Sequence, residues 1–447
     1  MTAKNAQWRR YAYACIACEI SSMTRYYDQL IQYARVAHDK GLLLELVDCR
    51  NKTSIEAGDA LPDLTGDRDR RSAILLNGTL NHSTDIQGLL TAIRPSLGRT
   101  ARVIAVLYNP YFAWLYRLAW RLGVREGALP STFISFTDLL TVARLSGFRL
   151  VRTRPVLYSP FRLAGLGSAL NAIMTTIPVL RHLSFTSVVT LAPVAGAEQS
   201  APPSLTVVIP ARNERGNIQT ALEELRAVRH ELPGLEVIFV EGHSTDGTWE
   251  EIARLMPEYE PFFRIRALQQ RGRGKGDAAR LGLNEATGDV LTILDADLTM
   301  PPAMLGRFYD AYHRAHGELV NGSRLVYGLE DDAMRFLNRL GNVFFAKALS
   351  RVLSVRIGDS LCGTKLFARH DYARFTAWRR DFGDFDPFGD FELLFPAAIL
   401  GLTVIDVPVR YGARRYGTTN ISRFSHGWML LKMTMVGFWR VRVGRVP

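Results

Sequence analysis

The sequence predicts an α/β protein of two domains, and three observations carry that prediction. The chain has 447 residues, 47% hydrophobic and 22% charged, enough for more than one buried core. After residue 204, short apolar runs alternate with segments of helical spacing, the pattern of a largely parallel sheet covered on both faces. Between the two parts, 192–203 is rich in Ala and Pro, lacks periodicity and reads as a linker. The expected domains are therefore 1–191 and 204–447.

The elements of the second domain follow in order. Residues 205–209 are a short β-branched run and 217–229 have helical spacing; 236–240 form a second strand and 247–256 a second helix. Residues 264–268 and 290–294 repeat the logic, with helix between them. In such sheets ligands gather at the carboxyl ends of the strands. The charged residues of interest stand there: Glu214 after the first strand, Glu241 after the second, Asp295 and Asp297 after the fourth.

Asp295-Ala296-Asp297 sets two carboxylates two residues apart where a buried strand gives way to a loop. Mg²⁺ and Mn²⁺ favour oxygen ligands, and such a cation offsets the charge of a departing diphosphate. Upstream, 271–278 is a glycine-rich basic loop opening a helix, with Lys275 and Gly276 at its mouth. Glycines let backbone N–H groups approach phosphate, and a helix N-terminus favours anions. The loop lacks the Walker A spacing, which excludes a P-loop ATPase.

Taken together, 204–447 resembles the family 2 glycosyltransferases of GT-A fold, in the branch similar to dolichyl-phosphate mannose or glucose synthases. The motifs come in the family's order. The resemblance implies that the first-strand segment ending Pro210-Ala211-Arg212-Asn213-Glu214 cradles the nucleotide, and that 240–248, with Glu241 and Asp246, faces the nucleobase. Relatives usually carry Asp where Glu241 stands, which leaves base identity open; Asp246 alternatively caps the next helix. Lys275 and Gly276 are then donor-phosphate residues, Asp297 the metal ligand, and Asp295, beside Ala296, a ribose or metal contact. Thr299 occupies a position where some relatives supply Gln. Arg324 in 321–324, the stretch 359–367, Asp390 in 389–392, and Arg414 within 410–424 recur in the family too, as donor and acceptor chemistry.

The resemblance implies transfer of a mannose or glucose from a UDP- or GDP-sugar to a polyprenyl or dolichyl phosphate, with Mg²⁺ or Mn²⁺ and inversion. A phosphate acceptor is already a nucleophile at pH 7 and needs no general base. A saccharide or other hydroxyl acceptor would need one, and Asp390 is the candidate. A bifunctional methyltransferase–glycosyltransferase and a non-catalytic membrane-docking scaffold are the other readings.

Charge bears on the partner. The net charge is +12; between Arg94 and Arg181 stand 12 Arg, no Lys and two acids, and after Asp406 eight basic residues and no acid. Arginine interleaved with Tyr111, Trp114 and Trp120 suits an anionic membrane surface or phosphate groups; the alternative is solvated helix faces. No nucleic-acid-binding motif accompanies the charge. No segment is expected to span a bilayer, but 163–180 and 427–438 suit its interface. Cys15, Cys18, Cys49 and Cys362 indicate neither a zinc site nor a disulfide framework. The expected location is the cytoplasmic face of a membrane, held peripherally; oligomeric state is not legible.

Residues 70–192 resemble the later portion of a class I methyltransferase, on 73–82, the strand 102–108 and the helix and strand within 136–151. Residues 11–18 read as a strand, 17–21 as the methyltransferase's second strand ending near Glu19, and 46–48 as its third. The expected fold is thus a partial Rossmann-like methyltransferase-type sheet followed by a GT-A nucleotide-diphospho-sugar transferase sheet. The G-x-G turn that lets backbone approach S-adenosylmethionine is missing between Met1 and Gly127, which argues against that cofactor. A sheet without its first strand is expected to leave a hydrogen-bonding edge to be covered.

Overall fold

The computed structural model describes residues 3–34, 41–56, 59–66, 69–123, 128–175, 177, 180–194, 201–327, 336–383, 386, 389–412, 414, 416 and 423–443. Among the described residues two sheets form. The first contains β1 (Gln29–Ala34), β2 (Lys52–Glu56), β3 (Ser72–Asn77), β4 (Arg102–Tyr108), β5 (Phe148–Leu157) and β6 (Thr186–Pro193), in the order β2-β1-β3-β4-β6-β5. β2, β1, β3 and β4 run parallel, and β6 is antiparallel to both β4 and β5. Successive residues enter opposite cores, Ile74 and Leu76 on one face, Ala73 and Leu75 on the other, as the two-residue period of a strand requires.

The second sheet contains β7 (Leu205–Ala211), β8 (Glu236–Glu241), β9 (Arg264–Gln269), β10 (Val290–Ile293), β11 (Leu319–Ser323), β12 (Lys365–Ala368) and β13 (Val404–Pro408), in the order β13-β11-β12-β10-β7-β8-β9. β10, β7, β8 and β9 are parallel, as expected, while β12 runs antiparallel between β10 and β11. The helices Arg215–Val228 and Thr248–Tyr259 lie where helical spacing put them. The helix Lys275–Glu285 lies tight on the sheet: a Cβ at Gly282 would stand 2.3 Å from Val208 Cγ1, so only glycine permits that approach.

Three expectations for the N-terminal half are corrected. Residues 11–21 are not strand but part of the helix Ala3–Thr24, whose buried Ala12, Cys15, Ile16, Ile20 and Met23 recur every three to four residues. Residues 46–48 end the short helix Leu42–Leu46 and its following turn; the strands are β1 and β2 instead. Because β1 pairs directly with β3, the sheet has closed, and no open edge is left between them. Ala192 and Pro193, assigned to the linker, close β6; residues 195–200 of the linker lie outside the described residues.

The two halves meet through arginines. Arg71 donates from Nε and Nη2 to the Asp371 carboxylate at 2.7 and 2.8 Å, and from Nη2 to Glu318 Oε1 at 2.9 Å. Arg102 donates to Glu318 Oε2 and, from Nε, to the Gly401 carbonyl at 2.7 Å. Arg99, Arg149 and Arg154 reach the carbonyls of Gly317, Ala315 with His316, and Val352. Glu19, on the first helix, pairs with Arg152 at 3.1 Å and Arg154 at 3.4 Å. Arg71 and Arg102 are wholly buried. Much of the arginine excess of 94–181 therefore serves neither a membrane nor solvent; it ties the first half to the second. A buried guanidinium is tolerated only when paired and hydrogen-bonded, and Arg71 and Arg102 are both. Burial alone would raise the Glu318 carboxyl, but Arg102 and Arg71 beside it hold it far below the usual carboxylate range.

Candidate active site

The loops after β7, β8 and β10 converge at the carboxyl edge of the second sheet. Asn213, His243 and Leu298, one in each loop, have φ of 55°, 59° and 55°, a left-handed conformation that non-glycine residues hold only when their surroundings fix it. Two of those loops are tied to each other. The Ser244 hydroxyl accepts the Asn213 N–H at 3.0 Å, and Asn213 Oδ1 accepts the Thr245 N–H at 2.9 Å. Asp246 accepts the N–H groups of Arg215 at 3.2 Å and Thr248 at 3.0 Å, so its carboxylate secures the start of two helices. Glu241, buried, accepts the Ser244 N–H. Pro210 and Ala211 end β7, and Arg212 is exposed beside Gly242.

Three carboxylates at this edge face a cation. Arg414 bridges Glu214 Oε1 at 3.1 Å and Asp297 Oδ2 at 2.9 Å. Glu214 also accepts from Asn217 at 2.6 Å; burial pushes its carboxyl up, against the pull of Arg414. Asp297 Oδ1 accepts the Thr299 N–H and hydroxyl at 3.1 and 2.8 Å. Lys275 Nζ lies 2.6 Å from Asp295 Oδ1; burial works to raise that carboxyl, and Lys275 holds it below the ordinary value. Ala296, between the two aspartates, is buried and fixes their loop.

The later motifs close on the same place. A Cβ on Gly363 would stand 2.5 Å from both Asp295 Oδ2 and Lys275 Nζ, which shows how near this loop runs. Gly389 backs onto Gly276, bringing Asp390 beside the helix N-terminus at Lys275. Asp390 Oδ1 is held at 2.6 Å by Lys365, a wholly buried lysine on β12. Arg324 commits Nε and Nη2 to Asp359 at 2.7 and 2.9 Å and lies over the Tyr411 ring at 5.2 Å. The segment with Arg414 is strapped down on both sides: the Gly412 N–H donates to Thr299 at 2.9 Å, and the Tyr416 ring packs on Gly216. Ala413, Arg415 and 417–422 of that motif lie outside the described residues.

Sequence reasoning reached Lys365, Asp359 and Asn213 only as members of longer motifs and Asn217 only as the start of a helix; these residues orient Asp390, Arg324, the first loop and Glu214. Lys365 was legible in principle, as an ammonium at the head of the apolar run 366–368 that burial obliges to find a carboxylate. Among the described residues no group of three or more His, Cys, Asp or Glu forms a metal cage. Two carboxylates suit a hard cation that takes its remaining ligands from phosphate and water, so the donor set fits Mg²⁺ or Mn²⁺.

Residues 206–374 match the family described as Glycosyl transferase family 2. The chain is 28% identical over 228 residues to a dolichol-phosphate mannosyltransferase of Pyrococcus furiosus, covering 48% of this chain and 59% of that protein. It is 28% identical over 226 residues to a dolichyl-phosphate hexose transferase of Haloferax volcanii, covering 50% of this chain and 89% of that one. A glucosyl-3-phosphoglycerate synthase from Mycobacterium tuberculosis, solved with Mn²⁺, uridine diphosphate and glucosyl-3-phosphoglycerate, is 19% identical. The likeness covers 54% of this chain and 80% of that one, with a TM-score of 0.38.

Proposed function

We propose, from the match of residues 206–374 to Glycosyl transferase family 2, that the chain moves a hexose from a nucleotide-diphosphate sugar to a polyprenyl phosphate at a membrane surface. The observation that carries this is the pairing of three carboxylates at the strand ends with cations: Lys275 on Asp295, Arg414 on Asp297 and Glu214. Such pairs are poised to exchange. The diphosphate draws Lys275, Arg414 and the N–H groups of the helix mouth at Gly276, and the carboxylates are released. Asp295 and Asp297 are the residues that would hold Mg²⁺ or Mn²⁺, which when bound offsets the leaving group's charge. Arg414 and Lys275 then neutralise the nucleoside diphosphate as it departs, and Glu214 with Asn217 keeps Arg414 aimed.

A phosphate acceptor supplies its own nucleophilic oxygen, so alignment opposite the leaving group is the remaining task, and the anomeric centre inverts. Lys365 orients Asp390 through Oδ1; a phosphate acceptor needs no base from it, whereas a hydroxyl acceptor would have to use its other oxygen. Glu241 and Asp246 line the nucleobase side, and Arg324 stiffens the acceptor side through Asp359 and Tyr411.

The N-terminal half serves as a support of methyltransferase-like descent, not as a second enzyme. Its parallel run β2-β1-β3-β4 has the order that the doubly wound arrangement 3-2-1-4-5 takes when strand 1 is left out. Calorimetry with S-adenosylmethionine is expected to give no binding heat; a saturable heat would restore the bifunctional reading.

The deciding experiment measures nucleoside diphosphate release from a panel of UDP- and GDP-sugars, with Mn²⁺ or Mg²⁺ and polyprenyl phosphate. Turnover that requires the lipid phosphate and disappears in Asp297→Ala is expected. Turnover that proceeds on a saccharide and ignores the lipid phosphate would refute the acceptor assignment.

A further inference from the structure

Large apolar side chains are exposed in a pattern. The helix Leu166–Met174 of the N-terminal half exposes Leu166 and Leu170 while burying Gly167, Asn171 and Ala172. In the second half, Phe336–Leu353 exposes Leu340 and Phe344, and Arg423–Phe438 exposes Trp428, 71% accessible, and Met435 while burying Leu430 and Met433. The three elements adjoin. Phe336–Leu353 packs on Arg423–Phe438, which runs on into the turn Trp439–Val443, and that turn packs against Leu166–Met174. Soluble monomers keep contiguous exposed apolar patches small, so rows repeated on three neighbouring helices call for an occupant.

Charge identifies it. Residues 161–175, 336–353 and 423–443 contain no Asp or Glu. Arg162, Arg339, Lys347 and Lys432 stand exposed beside the apolar rows. A surface of apolar rows in a purely basic setting complements an anionic bilayer, which offers acyl chains and negative headgroups together. Trp428 and the exposed Trp439 add the side chain that favours headgroup depth. No described helix is long and apolar enough to cross a membrane, so these lie along its plane.

We infer that these three helices form one docking face for an anionic lipid bilayer, with the N-terminal half supplying Leu166–Met174 as an integral part of it. The inference rests on the lipid-phosphate reading and adds where the bilayer meets the protein. The chain enters Phe336–Leu353 from the segment after Arg324, and Arg423–Phe438 from the segment after Arg414. The face is thereby joined in sequence to both arginines of the site. The N-terminal half, on this view, contributes one of the three helices of a membrane footing.

The test is co-sedimentation of the full chain with phosphatidylcholine vesicles and with vesicles containing phosphatidylglycerol. Binding to the anionic vesicles is expected, at least tenfold weakened in Leu166→Glu/Leu170→Glu and in Trp428→Glu/Met435→Glu. Lys347→Glu/Lys432→Glu, which disturbs no apolar packing, keeps the test open if those variants misfold, and is expected to lose the same binding. A wild-type chain that stays in the supernatant overturns the inference. So do folded Leu166/Leu170 variants that sediment as the wild type does, or a face that instead joins two copies of this chain, seen as a halved mass in the variants. Turnover with a short, water-soluble prenyl phosphate in the absence of vesicles is read separately and should survive these substitutions. Loss of that turnover in the wild type, with vesicle binding intact, strikes the proposed activity and leaves the docking face standing.

Discussion

Arg414 Nη2 lies 2.9 Å from Asp297 Oδ2, so a guanidinium near the end of the chain closes over the aspartate loop after β10. The same side chain reaches Glu214 after β7, and the two loops share one counter-ion. Donor diphosphate should displace it from both. Arg414→Ala is expected to lower kcat with nucleotide-sugar by about 10²- to 10³-fold, the usual scale for one lost electrostatic stabiliser. Arg414→Lys should recover little, because a shorter ammonium lacks the planar pair of parallel donors that meets two phosphate oxygens side by side. Steady-state kinetics of both variants check this.

Gly363 separates activity from stability. A Cβ there meets the Asp295 carboxylate and the Lys275 ammonium, not core. Gly363→Ala should displace both groups and cost about 10²-fold in kcat/KM, as small misplacements at reacting centres do. Its melting temperature should stay close to the wild type's. Thermal unfolding beside turnover distinguishes this from a folding defect.

The joint between the halves is exposed to single substitutions. Glu318→Ala leaves Arg71 with Asp371 alone and removes Arg102's carboxylate, with both guanidiniums still buried. Removing one partner of a buried pair typically costs about 3–5 kcal/mol. Denaturant unfolding should show that loss, and Arg102→Met/Glu318→Leu should be milder than Glu318→Ala because less buried charge is stranded.

Acid should act on the same joint, in a stated direction. Glu318 and Asp371 are held below their ordinary values by their arginines, against burial. Their contribution is full above the unfolded carboxylate range, about pH 4, and is lost as pH falls through the lower folded values. His370 is shifted down by burial, so a shallower loss begins near its unfolded value of about 6.5. Unfolding midpoints should decline gently below about pH 6.5 and steeply below about pH 4, and Glu318→Gln should flatten the steep part.

The second half was legible because its information is local. Apolar runs bounded by Glu214, Glu241 and Asp295 carry both the strand and the position of the ligand-facing end, and the structure keeps those strands and that edge. The helix Ala3–Thr24 was misread because Glu19 seemed to end an apolar run, when it is a helical residue answering Arg152 and Arg154 across the fold. The arginines of the first half were illegible for a related reason. Arg71 and Arg102 find their acids hundreds of residues later, and no window on the sequence contains both partners. Within the site, Asp390 and Arg324 could be named, but that Lys365 and Asp359 aim them could not be read from the motif that holds both.

The buried arginine joint also bears on how the chain is born. Arg102 leaves the ribosome 216 residues before Glu318. At translation rates of roughly 5–20 residues per second, that interval is on the order of ten to forty seconds. Once β6 is complete at Pro193 the first sheet can form, yet Arg71 and Arg102 still lack the carboxylate of Glu318 and the joint surface has no cover. The nascent first half is then a cationic, half-finished object waiting for its second. Arrested chains ending before Glu318 should aggregate or bind polyanions more readily than full-length protein, which pulse-labelled ribosome-bound fragments would reveal.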